Sequence, residues 1–214
     1  MLEPTDAVLI VKKLYIRYPI DVANMVFKFL YLKETCELFL VTNGLTVDLL
    51  RFFAHQMPNI TKLTLDDPQH NVKISEILSM FPQLCKLEIE HSYHNWIPDF
   101  LSAHVNNVNV TTYGEDSSFE DIFNFHPEDL MKLLDRKCTI GAVLKESCMK
   151  IEEQNVQVRN YLGPAFTYFG NSVPHSCFAI RLACRCYHPD RLITCLFNYY
   201  SRALYDPDME TYVR

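Results

Sequence analysis

The sequence predicts an α/β fold in which short parallel strands alternate with helices as a small solenoid, followed by a C-terminal α+β cap that ends in a β-hairpin. Three features carry that expectation. An apolar pattern returns five times in nearly the same register, as Val11/Leu14/Ile16, Thr35/Leu38/Leu40, Ile60/Leu63/Leu65, Leu84/Leu87/Ile89 and Val105/Val108/Val110. Its central residues step by 24, 25, 24 and 21 positions, a period at which one supersecondary unit stacks on the next. Segments of helical period fill the gaps, and the pattern changes character after Thr112.

The first region is residues 1–112. Its helical segments are Val22/Met25/Val26/Phe29, then Val47/Leu49/Leu50/Phe53 running to Gln56, then Ile74/Ile77/Leu78/Phe81, then Ile97/Leu101. Pro58 and Pro82 precede the third and fourth strands at matching offsets, where proline ends a helix and begins an extended segment. Asn43 stands where the second strand turns away, and its side chain suits the backbone groups left loose there. The other repeats carry Pro19, Pro68, Ser92 and Tyr113 at that place, so irregular turns are expected.

The second region, residues 113–214, opens with the polar run Tyr113-Gly114-Glu115-Asp116-Ser117-Ser118, in which Ser117 or Ser118 suits a helix cap. Helical period then covers Phe119 to Asn124 and Pro127 to Leu134, with Pro127-Glu128-Asp129 fitting a first turn. The stretch from Lys137 to Asn155 reads equally as strand or helix. Phe178, Ile180, Leu182, Cys184 and Cys186 alternate with Ala179, Arg181, Ala183 and Arg185, the two-residue period of a half-buried strand. His188-Pro189-Asp190-Arg191 turns the chain, and Leu192 to Tyr199 returns beside it.

Composition narrows the function. A chain of 214 residues with 49% apolar content has ample core, and its net charge of −6, without any basic run longer than Lys12-Lys13, is a poor match for nucleic acid. The longest apolar stretch, Val22 to Leu32, is broken by Asn24 and Lys28 and falls short of a membrane span. The N-terminus is polar and acidic where a secretory signal is basic and then apolar. An intracellular location, cytoplasmic or nuclear, is expected. The eight cysteines are unevenly scattered, which favours free and mostly buried thiols over a disulfide framework.

Chemical motifs are sparse. With five glycines, no phosphate-cradling loop and no glycine-framed Ser or Cys, nucleotide chemistry and nucleophilic catalysis lack their usual signatures, so no enzyme activity and no cofactor is expected. His175, Cys177, Cys184, Cys186 and His188 are zinc-ligand types within a short stretch, but their spacing is not the paired knuckle of a structural zinc site. The favoured reading takes Cys184 and Cys186 as small apolar residues of a strand, with metal or thiol chemistry as the alternative. His91-Ser92-Tyr93-His94 reads as a surface loop.

The residues between the repeat leucines are more informative, because strand alternation sends them to the face away from the core. They form three columns: Lys13, Glu37, Lys62, Lys86 and Asn107; Tyr15, Phe39, Thr64, Glu88 and Asn109; Arg17, Val41, Asp66, Glu90 and Thr111. A sheet bare on one side needs polar cover or a partner. Aromatic and aliphatic anchors beside a charged zone suit a protein interface, so Tyr15, Arg17, Phe39, Val41, Lys62, Thr64, Asp66, Lys86, Glu88 and Glu90 are the expected partner-binding residues. A solvated face, its aromatic end covered by the C-terminal part, is the competing reading. A permanent subunit of a larger assembly is another.

Two further patterns sharpen this. The stretch Leu38-x-Leu40-x-x-Asn43-x-Leu45-Thr46, with a helix to Gln56 and then Ile60-x-x-Leu63-x-Leu65, closely resembles the leucine-rich repeat. The run from Cys36 to Phe53 and the pair of segments from Phe178 to Tyr199 resemble nematode F-box-associated (FTH-like) domains. That resemblance implies the substrate-binding part of a cullin-type ubiquitin ligase, with a target protein and a cullin adaptor as partners. Pro19, Asp21, Val22, Val26, Leu30, Glu34, Leu38, Leu40 and Val41 also fall at spacings similar to an F-box, which would place a helix around Val41. The strand reading is preferred there, because Leu38 and Leu40 are in phase with the neighbouring repeats.

Overall fold

The computed structural model describes residues 9–17, 30–42, 44–67, 71–90, 92–114, 119–146, 151–163, 166–168, 178–184 and 194–201. The apolar repeat sets the architecture. β1 (Leu9–Ile10) leads into β2 (Lys13–Arg17), and β3 (Leu30–Tyr31) leads into β4 (Glu37–Val41). β1 pairs with β3 as a short parallel ribbon, while β2 and β4 pair in parallel at one side of a nine-stranded sheet. From there helices and strands alternate: α1 (Val47–Gln56), β5 (Lys62–Asp66), α2 (Ile74–Met80), β6 (Lys86–Ile89), α3 (Trp96–Ser102), β7 (Asn109–Gly114), α4 (Phe119–Ile122), α5 (Pro127–Asp135) and β8 (Thr139–Glu146).

The six strands β2, β4, β5, β6, β7 and β8 lie side by side in chain order, all parallel. Leu14, Leu38, Leu63, Leu87 and Val110 form one row across them; Ile16, Leu40, Leu65, Ile89 and Thr112 form the next. In β4, β5 and β6 every aliphatic member of these rows is at most 1% exposed. From β4 to β8 the helical connections join neighbouring parallel strands, a connection that winds in one hand and so puts α1, α2, α3 and α5 on one face of the sheet. α1, α2, α3 and α5 pack as successive neighbours there, burying Leu50 and Phe53, Ile77 and Leu78, Ile97 and Phe100, and Leu130 and Leu133.

Local signals explain where helices start and stop. Thr46 Oγ1 accepts the Leu49 N–H at 3.2 Å and caps α1, and Glu76 Oε2 reaches back to the Lys73 N–H at 3.1 Å ahead of α2. Pro127 occupies the first turn of α5, as its spacing with Glu128 and Asp129 predicted. α1 and α2 end alike: Met57 and Phe81 leave the helix at φ −130° and −120°, each just before a proline that disfavours helical backbone in its predecessor.

The segment from Lys137 to Asn155 resolves into β8 and the start of α6 (Ile151–Leu162). After β9 (Phe166–Tyr168), β10 (Phe178–Cys184) lies parallel to β8, and β11 (Thr194–Ser201) returns antiparallel to it with Tyr199 opposite Phe178. β9 pairs on the far side of β11. The helical segment Val22 to Phe29, Asn43, the Ser117/Ser118 cap and the turn at His188 to Arg191 lie outside the described residues. Of the two readings of Leu38 to Val41, the strand is the one present.

The fifth repeat is displaced from its expected register. Val110, not Val108, stands beside Leu87, and the outward column members are Asn109, Thr111 and Tyr113 in place of Asn107, Asn109 and Thr111. After α3 the chain takes left-handed backbone at His104 (φ 54°) and Asn107 (φ 58°), and the Asn107 N–H bonds to Arg136 O at 3.1 Å, so Val108 packs ahead of the strand. The shift of two residues preserves the facing but sends Thr112 into the core, where its hydroxyl is fully buried without a hydrogen-bond partner.

Candidate functional site

The parallel register gathers the expected surface residues onto the sheet face opposite the helices. Lys13, Glu37, Lys62 and Lys86 stand in one row, Tyr15, Phe39, Thr64 and Glu88 in the next, and Arg17, Val41 and Asp66 in the third. Glu90 follows β6, its N–H bonded to Leu65 O at 3.0 Å. Tyr15 and Phe39 stack with ring centroids 4.2 Å apart and planes 9° from parallel, and Tyr15 is 61% exposed. Parallel strands bring this about directly, since members of a row are close neighbours on one face.

Much of the charge on this face is paired within it. Glu37 sits between Lys13 at 3.0 Å and Lys62 at 3.2 Å. Lys86 meets Glu88 at 2.7 Å, and Thr64 Oγ1 donates to Glu88 Oε2 at 3.1 Å. The Lys13 hydrogen bond holds the Glu37 carboxyl below its ordinary pKa, and Glu37 in turn raises Lys13; Glu88 likewise raises Lys86. Arg17 is exposed and, among the described residues, makes no ion pair. The aromatic end of the face therefore carries a cation, Arg17, without an ion pair among the described residues.

A second set of polar residues, missed in the sequence, holds the loops behind this face. The loops leading into α1, α2 and α3 are each tied by a side chain from the following repeat. Asp67, 1% exposed, accepts the N–H groups of Gly44 and Leu45, both at 2.7 Å, at a turn where Gly44 has φ 124°. At the start of α2, Tyr93 Oη accepts the Ile74 N–H at 2.8 Å, and Asp99 accepts from the Ser75 N–H at 3.0 Å, from Ser75 Oγ at 2.6 Å and from the Tyr93 hydroxyl. Burial, followed by the bond to Asp99, pushes the Tyr93 hydroxyl pKa up strongly. At the next loop Asn124 Oδ1 accepts the Asn95 N–H at 2.8 Å.

These ties correct the reading of His91 to His94 as a surface loop. Ser92 is buried and Tyr93 half-buried, its hydroxyl serving the start of α2; His94 is exposed, and His91 lies outside the described residues. Of the thiols whose burial is described, Cys138 is buried, Cys36 half-buried and Cys85 exposed. Cys36 Sγ, Thr61 Oγ1 and Cys85 Sγ each donate to the carbonyl one repeat earlier, on Lys12, Cys36 and Thr61, at 3.4, 3.2 and 3.2 Å. Those side chains sit at strand starts, where stitching the repeats outweighs burial.

Of the alternative metal ligands, Cys184 ends β10; His175, Cys177, Cys186 and His188 lie outside the described residues. Among the described residues no group of three or more His, Cys, Asp or Glu is placed to hold a metal ion, and no helix is long and apolar enough to cross a membrane. On the helix side, Asn95, Pro98, Asn124, Phe125, His126, Pro127 and Tyr161 line a groove of about 390 Å³. Its two titratable side chains are His126 and Tyr161, the latter with its pKa raised by burial. Open α/β sheets bind small molecules where strand order reverses, and β2 to β8 follow chain order without a reversal. No family model, curated protein or solved structure matches the chain.

Proposed function

We propose that the protein is a non-catalytic recognition module of leucine-rich-repeat-like build, which holds another protein on the open face of its parallel sheet while the C-terminal segment caps the solenoid. One observation supports this most: Tyr15 and Phe39 are stacked on the open face, Tyr15 largely exposed, at one end of a face whose charged part is ordered by ion pairs between neighbouring strands and along β6. Aromatic side chains already held by a rigid sheet lose little freedom on association, which favours binding over mere solvation. Within the resemblance to F-box-associated domains, the bound protein would be the target of a cullin-type ubiquitin ligase, inside the cell.

The test is affinity capture from cells with mass spectrometry, comparing the native chain with Tyr15→Ser/Phe39→Ser. Specific partners are expected to be lost while the melting temperature falls by no more than about 2–4 °C. Equal loss of binding and fold would place the two rings in the interior. Stoichiometric zinc in the purified protein would move the function to the C-terminal cysteines and histidines, and recovery of a cullin adaptor would place the module in a ligase.

A further inference from the structure

We propose that the outer edge of β2 takes an added strand from a partner, an extended segment of the pattern acid–x–aromatic–x–acid; this rests on reading the open face as a recognition surface and names what it recognises. The hydrogen-bond phase comes first. Lys12 C=O accepts the Glu37 N–H at 3.3 Å, and main-chain groups of alternate residues face a parallel neighbour. Leu14 and Ile16 therefore bond towards β4, and the N–H and C=O groups of Lys13, Tyr15 and Arg17 point to the outer edge. Among the described residues no strand pairs with that edge.

The side chains of the same three residues stand on the open face, so one segment would meet both. Across the sheet the first row runs Lys13, Glu37, Lys62, with contacts of 3.0 and 3.2 Å, so an acid placed outside Lys13 continues the alternation of sign. In the second row Phe39 covers one side of the Tyr15 ring, and an aromatic on the added strand would cover the other. In the third, exposed Arg17 calls for a second acid. The pattern reads the same in both directions, so parallel and antiparallel additions both satisfy it. A second copy of this chain does not: antiparallel pairing centred on Tyr15 sets Lys13 against the other copy's Arg17, like charges that destabilise a cross-strand pair. Addition to a sheet edge draws affinity from the main chain and selectivity from alternate side chains.

The experiment titrates the full chain into a fluorescein-labelled peptide Ser-Glu-Thr-Phe-Thr-Glu-Ser and follows polarisation. Three comparisons accompany it: the same peptide with both Glu changed to Lys, the acidic peptide N-methylated at Phe and the following Thr, and the Arg17→Glu protein. The acidic peptide should bind about tenfold or more tightly than the lysine peptide, the advantage shrinking as salt is raised. N-methylation should abolish binding, and Arg17→Glu should weaken the acidic peptide about tenfold while strengthening the lysine peptide. Equal binding of the lysine or the N-methylated peptide overturns the proposal, and so does a dimer in sedimentation that Tyr15→Glu dissolves. Cellular capture that depends on Phe39, with no peptide bound, removes this proposal and leaves the recognition function standing; peptide binding without any cellular capture does the reverse.

Discussion

Replacing Asp67 by alanine tests how the repeats are held to one another. The carboxylate accepts two loop N–H groups at 2.7 Å, that of Leu45 buried and that of Gly44 partly so. A hydrogen bond to a charged group contributes about 1.5–3 kcal/mol net. Counting the Leu45 bond in full and the Gly44 bond at about half, Asp67→Ala should cost roughly 2–4 kcal/mol, and Asp67→Asn, which keeps one acceptor oxygen, about half of that. Urea unfolding followed by Trp96 suits the measurement, since it is the chain's single tryptophan, fully buried, with Nε1 donating to Ile122 O at 2.9 Å. With a slope of about 2–3 kcal/mol per molar for a domain of this size, the alanine variant's midpoint should fall by about 1 M. A midpoint within about 0.2 M of the native chain, at unchanged slope, would mean that water satisfies this turn and that the carboxylate between repeats contributes little to the fold.

Two further outcomes follow from the same geometry. Because Glu37 is held below its ordinary pKa by Lys13 and then Lys62, its contribution is complete above the ordinary carboxylate range and is lost as pH falls through the lowered folded value, so the stability gap between the native chain and Glu37→Gln should close between about pH 5 and pH 2 and narrow in high salt; a gap that stays constant over that window would refute the ladder. In the fifth repeat, Val110→Ala should destabilise by roughly 2 kcal/mol and Val105→Ala by less than half as much, because Val110 is fully buried beside Leu87 and Val105 is only half-buried; equal losses in denaturation would return the strand to the register read from spacing alone.

The legible part of this protein is the part governed by side-chain periodicity. Leu14, Leu38, Leu63 and Leu87 share a row because a strand pattern recurring every two dozen residues can bury its apolar side only by stacking against itself, and the helices at Val47, Ile74 and Pro127 follow from an apolar stripe with a cap or proline at its start. The open-face rows were legible for the same reason. The fifth strand was misplaced where polar Thr112 holds a core position, since counting apolar residues prefers Val108.

The sequence by itself determined the alternation of strand and helix, their parallel order and the facing of Tyr15, Phe39 and the charged rows, all consequences of local periods of two and 3.6 residues. Only the tertiary structure decided that Asp67, Tyr93, Asp99 and Asn124 would serve the loops of the preceding repeat, that Glu37 would lie between two lysines, and that β2 would be left at an edge of the sheet with Arg17 without an ion pair among the described residues. The physical reason is range: a period is written in neighbouring residues, whereas a hydrogen bond across some two dozen positions exists only once the repeats are stacked.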